Sequence, residues 1–185
     1  MSLSLHKQFL DPSSQKLADQ VESTFDKKKR QEAILKLAKK GKEDECRSLM
    51  ALFHYVVGKD TKATILEAMS KSQAKRGFYF LLSFVTTTQD FILGCGAIRA
   101  LRYSKIQGTN DFLYSLIKKN RYEYFETILI TLNYMSEPVD ETTLKGLLKD
   151  KTINLRVRNL ALLLLSRRGR KALEPFYPQK SKGDH

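Results

Sequence analysis

An apolar pattern recurs in the second half of this chain at intervals of 31 and then 33 residues. Side chains four residues apart lie on one face of a helix, so each occurrence marks the buried face of a helix. Recurrence at an interval of about 20–50 residues is typical of folds in which helix pairs stack in series. The three occurrences are Leu93, Ala97 and Leu101; Tyr124, Ile128 and Leu132; and Val157, Ala161 and Leu165.

The whole chain is predicted to be all-α. Glycine and proline together supply 13 of its 185 residues, and most of them fall where the helical periodicity stops. No segment alternates apolar and polar residues between hairpin turns, so no sheet is predicted. The predicted helices cover residues 12–25, 28–40, 44–57, 61–70, 73–87, 90–104, 111–119, 122–135, 141–149 and 154–168, with a short final helix ending near 176.

Carboxylates, proline and glycine set the predicted ends of the early helices. Asp11 and Pro12 suit the N-cap and the first position of a helix. Gly41 and Gly58 are each expected to end a helix, because glycine adopts the left-handed conformation that often follows a helix. Asp60 is expected to cap the helix over 61–70.

We predict a single helical-repeat domain over 1–177. Within it, residues 90–177 form units made of a longer helix, a short connection and a shorter helix. Residues 1–89 are helical but do not align with this period, so they are either repeats out of register or an N-terminal cap. Residues 178–185 are predicted to be a flexible tail. A closed helical bundle without repeats is the alternative architecture.

The last repeat carries the most specific motif. The segment from Val157 to Leu165 resembles the inner helix of a HEAT-type repeat, in which Val-Arg is followed by Ala and Leu at fixed steps. The resemblance covers about residues 90–176, but only this unit has the Val-Arg pair, and Asn154 stands where an Asp-Pro turn is expected. It implies a right-handed stack of antiparallel helix pairs, an α-solenoid, and such stacks most often bind proteins.

Some helical-repeat proteins similar to this chain are DNA glycosylases, which place an aromatic residue, a carboxylate and an arginine around a damaged base. Others are lyases or carriers of bilin pigments. The chain has no tryptophan, and Glu126 is the only carboxylate aligned near Arg99 or Arg158. These features argue against a glycosylase, and nothing in the sequence selects a bilin-related function.

Small residues are concentrated in the segment Gly94-Cys95-Gly96-Ala97. The spacing from Gly94 through Gly96 to Arg99 lacks the third glycine and the preceding strand of a dinucleotide-binding loop. We therefore expect this segment to let a neighbouring helix approach closely.

Residues that carry most enzyme chemistry are sparse. His6, His54 and His185 are far apart, and Cys46 and Cys95 have neither an adjacent histidine nor a second cysteine pair. His54 is expected to be a partly buried structural residue, and both cysteines are expected to be buried. The sequence therefore predicts a protein that is not an enzyme, with no catalytic residues, no metal site and no cofactor.

No apolar segment approaches the length of about 20 residues that a membrane span requires. No secretory signal is visible at the N-terminus either. These features predict a cytoplasmic protein without a membrane span.

Positive charge is the main functional signal, since 33 Lys and Arg face 20 Asp and Glu, a net charge of +13. Arg99 and Arg102 share a helix face, and the planar guanidinium group suits carboxylates and phosphates. If the inner helices line a concave groove, these side chains attract an anion there. The predicted partner-binding residues are Arg99, Arg102, Arg156, Arg158, Arg167, Arg168, Arg170 and Lys171.

The preferred function is a binding module that holds an acidic protein partner on this basic surface. Nucleic acid is the alternative partner, because the same arginines suit phosphates and tyrosines can stack on bases. The tyrosines have a competing interpretation, namely that they pack at the edge of the core. The lysine-rich segments also have one, namely that they only keep helix faces in contact with water. The tyrosines concerned are Tyr103, Tyr114, Tyr122, Tyr124 and Tyr134.

Overall fold

The structure, a computed structural model, describes residues 10–135 and 138–173, with side chains as far as residue 166. These residues form α-helices and two short 3-10 helices and contain no strand, which confirms the all-α prediction. The α-helices are α1 Pro12–Ser23, α2 Lys27–Lys39, α3 Glu43–Tyr55, α4 Lys59–Lys71, α5 Lys75–Thr87, α6 Phe91–Ala100, α7 Thr109–Lys118, α8 Phe125–Tyr134, α9 Glu141–Lys149 and α10 Leu155–Leu173. The 3-10 helices are Leu101–Tyr103 and Tyr122–Tyr124.

The chain divides into two compact units, with the boundary between Leu113 and Tyr114. This boundary falls within α7. We call the part before it the first unit and the part after it the second unit.

Helices α1 to α6 of the first unit are spaced with great regularity. Their first residues are almost evenly distributed along the chain, and each helix is joined to the next by a three-residue connection. Within α1 to α6, each helix packs against the next helix of the set and also against the one after it. One helix pair with its connections therefore spans nearly the same length of chain as the interval seen in the second half of the sequence.

Burial in the first unit repeats from one helix pair to the next. At three sets of equivalent positions on α2, α4 and α6 with its C-cap, every side chain is no more than 1% exposed, although the side chains differ in size. The sets are Ala33, Ile65 and Ala97; Ile34, Leu66 and Ile98; and Leu37, Met69 and Leu101. Here the buried position recurs at a constant interval, but the type of residue at that position changes. This explains why the sequence alone did not align residues 1–89 with the repeats of the second half.

Five polar contacts join alternate helices of the first unit, and a sixth, between Asp11 and Lys40, joins the N-cap of α1 to the C-cap of α2. All six have similar separations in sequence. The linked residues are 29 to 33 positions apart. The pairs are Asp11 with Lys40, Ser14 with Glu45, Lys27 with Asp60, Gln31 with Thr64, Glu43 with Arg76, and Lys59 with Asp90.

In the second unit, α10 packs against both α8 and α9. The apolar positions of the repeating pattern are buried there, with one exception: Leu165 is only half-buried. The neighbouring Leu164, which the pattern did not include, is buried instead, at 2% exposed. Seven residues make about two helical turns, so Leu164 lies in line with Val157, whereas Leu165 is rotated away from the buried face. The buried positions of the pattern are Tyr124, Ile128, Leu132, Val157 and Ala161, and Leu144 and Leu147 of α9 are buried as well.

Two of the predicted helix ends are confirmed. The side chain of Asp11 accepts hydrogen bonds from the backbone N–H groups of Ser13 and Ser14, each at 3.0 Å, and Pro12 is the first residue of α1. Gly41 follows α2 with a φ of 67°, in the left-handed region that glycine adopts at little cost.

Three other predictions about helix ends are wrong. Gly58 does not end α3, which stops at Tyr55; it is the N-cap residue of α4. Asp60 is not a cap but lies in the first turn of α4, where it accepts a hydrogen bond of 2.6 Å from Lys27. The short final helix is not separate, since α10 continues to Leu173. The predicted tail at 178–185 lies outside the described residues.

We expect opposite effects from alanine at two buried or half-buried helical glycines. A Cβ atom at Gly77 would lie 2.7 Å from Sγ of Cys46 and 3.1 Å from the carbonyl oxygen of Met69, whereas a Cβ at Gly96 would lie 3.9 Å from its nearest neighbours. Gly77→Ala should lower the free energy of unfolding by about 1–3 kcal/mol through overpacking. Gly96→Ala should raise it by up to about 1 kcal/mol through helix propensity. Urea denaturation measures the free energy of unfolding of both variants. Equal changes in the two variants would contradict the packing described at Gly77 and Gly96.

Stability should depend on pH through Asp140, the N-cap of α9. Its carboxylate accepts hydrogen bonds from Lys118 at 2.8 Å and from the Thr143 hydroxyl at 2.7 Å, which lower its pKa from 3.8 to about 2. Because the pKa is depressed in the folded state, this stabilisation is complete above the unfolded value of 3.8 and is lost as the pH falls through about 2.

Asp140→Ala should therefore cost about 0.5–2 kcal/mol at neutral pH. The difference from the unsubstituted protein should shrink below about pH 4, as measured by thermal unfolding across a pH series. Asp140→Asn keeps a capping oxygen without the charge and serves as the control. A difference that is constant down to pH 2 would contradict the role given to the charge.

Candidate partner-binding groove

A groove lies in the first unit between the alternate helices α4 and α6. Its volume is about 190 Å³. Small side chains leave this space, and longer polar side chains surround it. Its lining residues are Ala63, Thr64, Glu67, Gly96, Arg99, Ala100, Arg102 and Tyr103. A Cβ atom added at Gly96 would lie 3.9 Å from side-chain atoms of Ala63 and Leu66, an ordinary van der Waals distance, so α4 lies beside the small-residue segment without requiring glycine at this position.

Arg99 and Arg102 both line this groove, in agreement with their predicted common face. Arg99 is exposed, and its side chain makes no hydrogen bond or ion pair with any other residue whose side chain the structure describes. Its guanidinium donors are therefore open to a ligand. Arg102 is half-buried, its Cζ atom lies 4.6 Å from the ring centroid of Tyr103, and its Nη2 donates a hydrogen bond to the Tyr103 hydroxyl.

A second cation approaches the same ring. Lys71 Nζ lies 4.5 Å from the centroid of Tyr103 and also pairs with Glu67 at 2.5 Å. Cations over an aromatic face are attracted by its negative charge density. The groove is thus lined by two arginines and one carboxylate, and that carboxylate already pairs with Lys71 beside the groove, so the arrangement favours an anionic ligand.

Gln73 holds this region together, and sequence reasoning did not single it out. Its Nε2 donates to the carbonyl oxygens of Tyr103 at 2.7 Å and Ser70 at 2.8 Å, and its Oε1 accepts from the backbone N–H of Lys105 at 2.8 Å. Gln73 has a φ of 59°, which is uncommon for a residue with a side chain. Nothing in the local sequence distinguishes it, because its partners Tyr103 and Lys105 are distant in sequence.

The two predicted arginines of the second unit whose side chains the structure describes, Arg156 and Arg158, do not lie together. Arg156 is exposed and pairs with Glu126 of α8 at 2.8 Å. Arg158 is half-buried, its Nε is buried without a hydrogen-bond partner, and its charge acts on Asp150 at the end of α9. Residues two apart point to different sides of a helix, so these arginines face different neighbours.

The remaining predicted site residues are Arg167, Arg168, Arg170 and Lys171. Their backbone belongs to α10, but their side chains lie outside the described part of the structure. Their role in binding stays a prediction.

Only some of the tyrosines are available for stacking. Tyr114 and Tyr124 are 3% and 2% exposed, so packing accounts for them. Tyr103 has two cations over its ring. Tyr122 and Tyr134 are exposed by 54% and 64%, and the ring of Tyr122 lies 5.0 Å from that of Phe125.

Cysteine and histidine show no catalytic arrangement where side chains are described. Cys46 and Cys95 are both buried, as predicted, and burial raises the pKa of the Cys46 thiol to about 11, which keeps it protonated at neutral pH. His54 is exposed rather than partly buried, with its ring 5.6 Å from Phe53 and 6.0 Å from Phe80.

The described residues contain no group of three metal-ligating side chains near one another. Over the same part of the chain, no helix combines the length and apolar character that crossing a bilayer requires.

Comparison with known proteins finds no matching family model, no similar curated protein and no similar solved structure.

We expect the side-chain hydrogen bonds of Gln73 to be the main polar contacts that stabilise the segment carrying Tyr103. Gln73→Ala removes three hydrogen bonds and should lower the free energy of unfolding by about 1–3 kcal/mol. Gln73→Gly removes the same bonds but relieves the left-handed backbone, so it should be less destabilising by about 1 kcal/mol. Urea denaturation of both variants tests this order, and an alanine variant as stable as the original would refute it.

Proposed function

We propose that this protein is a non-enzymatic binding module built as an α-solenoid of the HEAT-like type. It holds an acidic segment of a partner protein against the groove between α4 and α6. A right-handed succession of helix pairs and a cytoplasmic location belong to the same proposal.

The architecture is supported by the pattern of contacts in the first unit. Each helix packs on the next and on the one after it, and fully buried positions recur at one interval along α2, α4 and α6. Stacked helix pairs have this pattern because each pair contacts only its neighbours. The contacts of α10 with α8 and α9 follow the same order in the second unit.

The binding proposal rests on one observation: Arg99 is exposed beside the groove without an ionic partner among the described side chains. Guanidinium groups bind carboxylates through two parallel hydrogen bonds, and a charged ligand makes such bonds stronger than neutral ones. Arg102 lines the same groove, and Lys71 lies over the ring of the lining residue Tyr103, so both add positive potential there.

A protein segment suits this groove better than a nucleic acid. Single-stranded nucleic acids need exposed aromatic faces for base stacking, but Lys71 and Arg102 already lie over the ring of Tyr103, the one aromatic residue that lines the groove. The groove, at about 190 Å³, fits one or two acidic side chains. Phosphate tracking also needs a row of basic side chains, whereas Arg156 and Arg158 face different neighbours.

Fluorescence anisotropy with a labelled glutamate-rich peptide tests the proposal. Arg99→Glu should weaken binding by about tenfold or more, because it replaces a charge-assisted contact with repulsion. Lys75→Glu is the matched control, since Lys75 is exposed outside the groove and the substitution changes the net charge equally. It should weaken binding by less than about twofold.

Equal losses in the two variants, or no peptide binding at low salt, would contradict the proposed groove. Duplex and single-stranded oligonucleotides form the second arm of the experiment. Tighter binding of either than of the peptide, with an affinity that falls steeply with salt, would favour nucleic acid instead.

A further inference from the structure

Three connections of the first unit lie along one edge. Residues 24–26 join α1 to α2, residues 56–58 join α3 to α4, and residues 88–90 join α5 to α6. Lys27 Nζ lies 2.6 Å from Oδ2 of Asp60, and Lys59 Nζ lies 2.9 Å from Oδ2 of Asp90, so successive connections are held side by side. We call residues 24–30, 56–62 and 88–92 the tip edge.

The tip edge displays the two most exposed large apolar side chains of the described structure. Phe25 and Val57, the middle residues of the first two connections, are 99% and 93% exposed, and Leu155 follows at 65%. Phe91 and Ile92, directly after the third connection, are 52% and 58% exposed. Large exposed apolar groups gathered on one side mark interaction surfaces.

Positive charge surrounds these apolar tips. The tip edge contains six Lys and Arg residues and three Asp residues. Asp60 and Asp90 are paired with Lys27 and Lys59. Lys28 and Lys29 are exposed and make no ion pair with another residue of the described part, so their charge is available to an external anion.

We propose that the tip edge binds the surface of an anionic lipid bilayer, with Phe25 and Val57 inserted among the lipid head groups. Basic segments are attracted to anionic lipids, and apolar side chains beside them strengthen the attachment by leaving water. Phe25 and Val57 protrude separately, so a protein partner would need a fitted pocket for each one. A fluid bilayer interface accepts both without such a match. This surface is separate from the groove and does not depend on the function proposed for it.

The absence of tryptophan from the chain makes insertion directly measurable. Phe25→Trp places a single fluorophore at the first tip. Its emission should shift to the blue with vesicles of phosphatidylcholine and phosphatidylglycerol, and brominated lipids should quench it. Vesicles of phosphatidylcholine alone should have a much smaller effect. Tyr79→Trp is the control, since Tyr79 is 64% exposed near the start of α5, away from the tip edge.

Vesicle co-sedimentation then tests which residues are needed. The double variants Phe25→Ser/Val57→Ser and Lys28→Glu/Lys29→Glu should each weaken binding by about tenfold or more. Arg99→Glu and Lys75→Glu should weaken it far less. The substituted side chains are exposed, and circular dichroism checks that the fold is unchanged.

The proposal would be overturned by no binding to anionic vesicles at low salt, or by binding without a blue shift of the tryptophan emission in Phe25→Trp. Loss of binding only in Arg99→Glu would also overturn it. So would a shift of the tryptophan emission that depends on protein concentration in the absence of vesicles. The last result would assign the tip edge to contact with a second copy of the chain.

Discussion

Each helix of the first unit is too short to be stable by itself, so all of them depend on packing against their neighbours. Helices α1 to α6 contain between 10 and 13 residues, and isolated helices shorter than about 12–15 residues are marginal in water. Their buried faces are covered by helices one and two positions along the chain. Regular connections of three residues keep those faces aligned from one pair to the next.

Apolar burial, rather than ion pairing, sets the register of this arrangement. The pair between Lys27 and Asp60 has side chains 65% and 75% exposed, and such pairs contribute little because water screens them. The side chains of Ile34, Leu66 and Ile98 are fully buried, and a shift of register that exposed them to water would cost about 1.5–3 kcal/mol for each. The outer surface is therefore free to vary, and this is where Arg99 and the tip edge lie.

Much of this fold could be predicted from sequence, and the site only in part. The helices follow from sparse breakers and helical periodicity, but Gly58 was assigned to the end of α3 instead of the start of α4, because α3 already stops at Tyr55. Asp60 was assigned to the cap of α4 instead of its first turn, because α4 begins at Lys59. The common face of Arg99 and Arg102 follows from their spacing. Lys71 and Gln73 were missed because their contacts with Tyr103 and Lys105 join distant segments, and no local motif encodes such contacts.

Zero-length cross-linking of lysine to carboxylate side chains, followed by mass spectrometry, tests serial stacking most directly. The account predicts links between alternate helices, namely Lys27 to Asp60 and Lys59 to Asp90, whose charged atoms lie within 2.9 Å. Each link joins one helix to the next helix but one along the chain, or to the cap of that helix. Prominent links from α1 or α2 directly to α6, such as Lys27 to Asp90, would show a closed bundle and contradict the account.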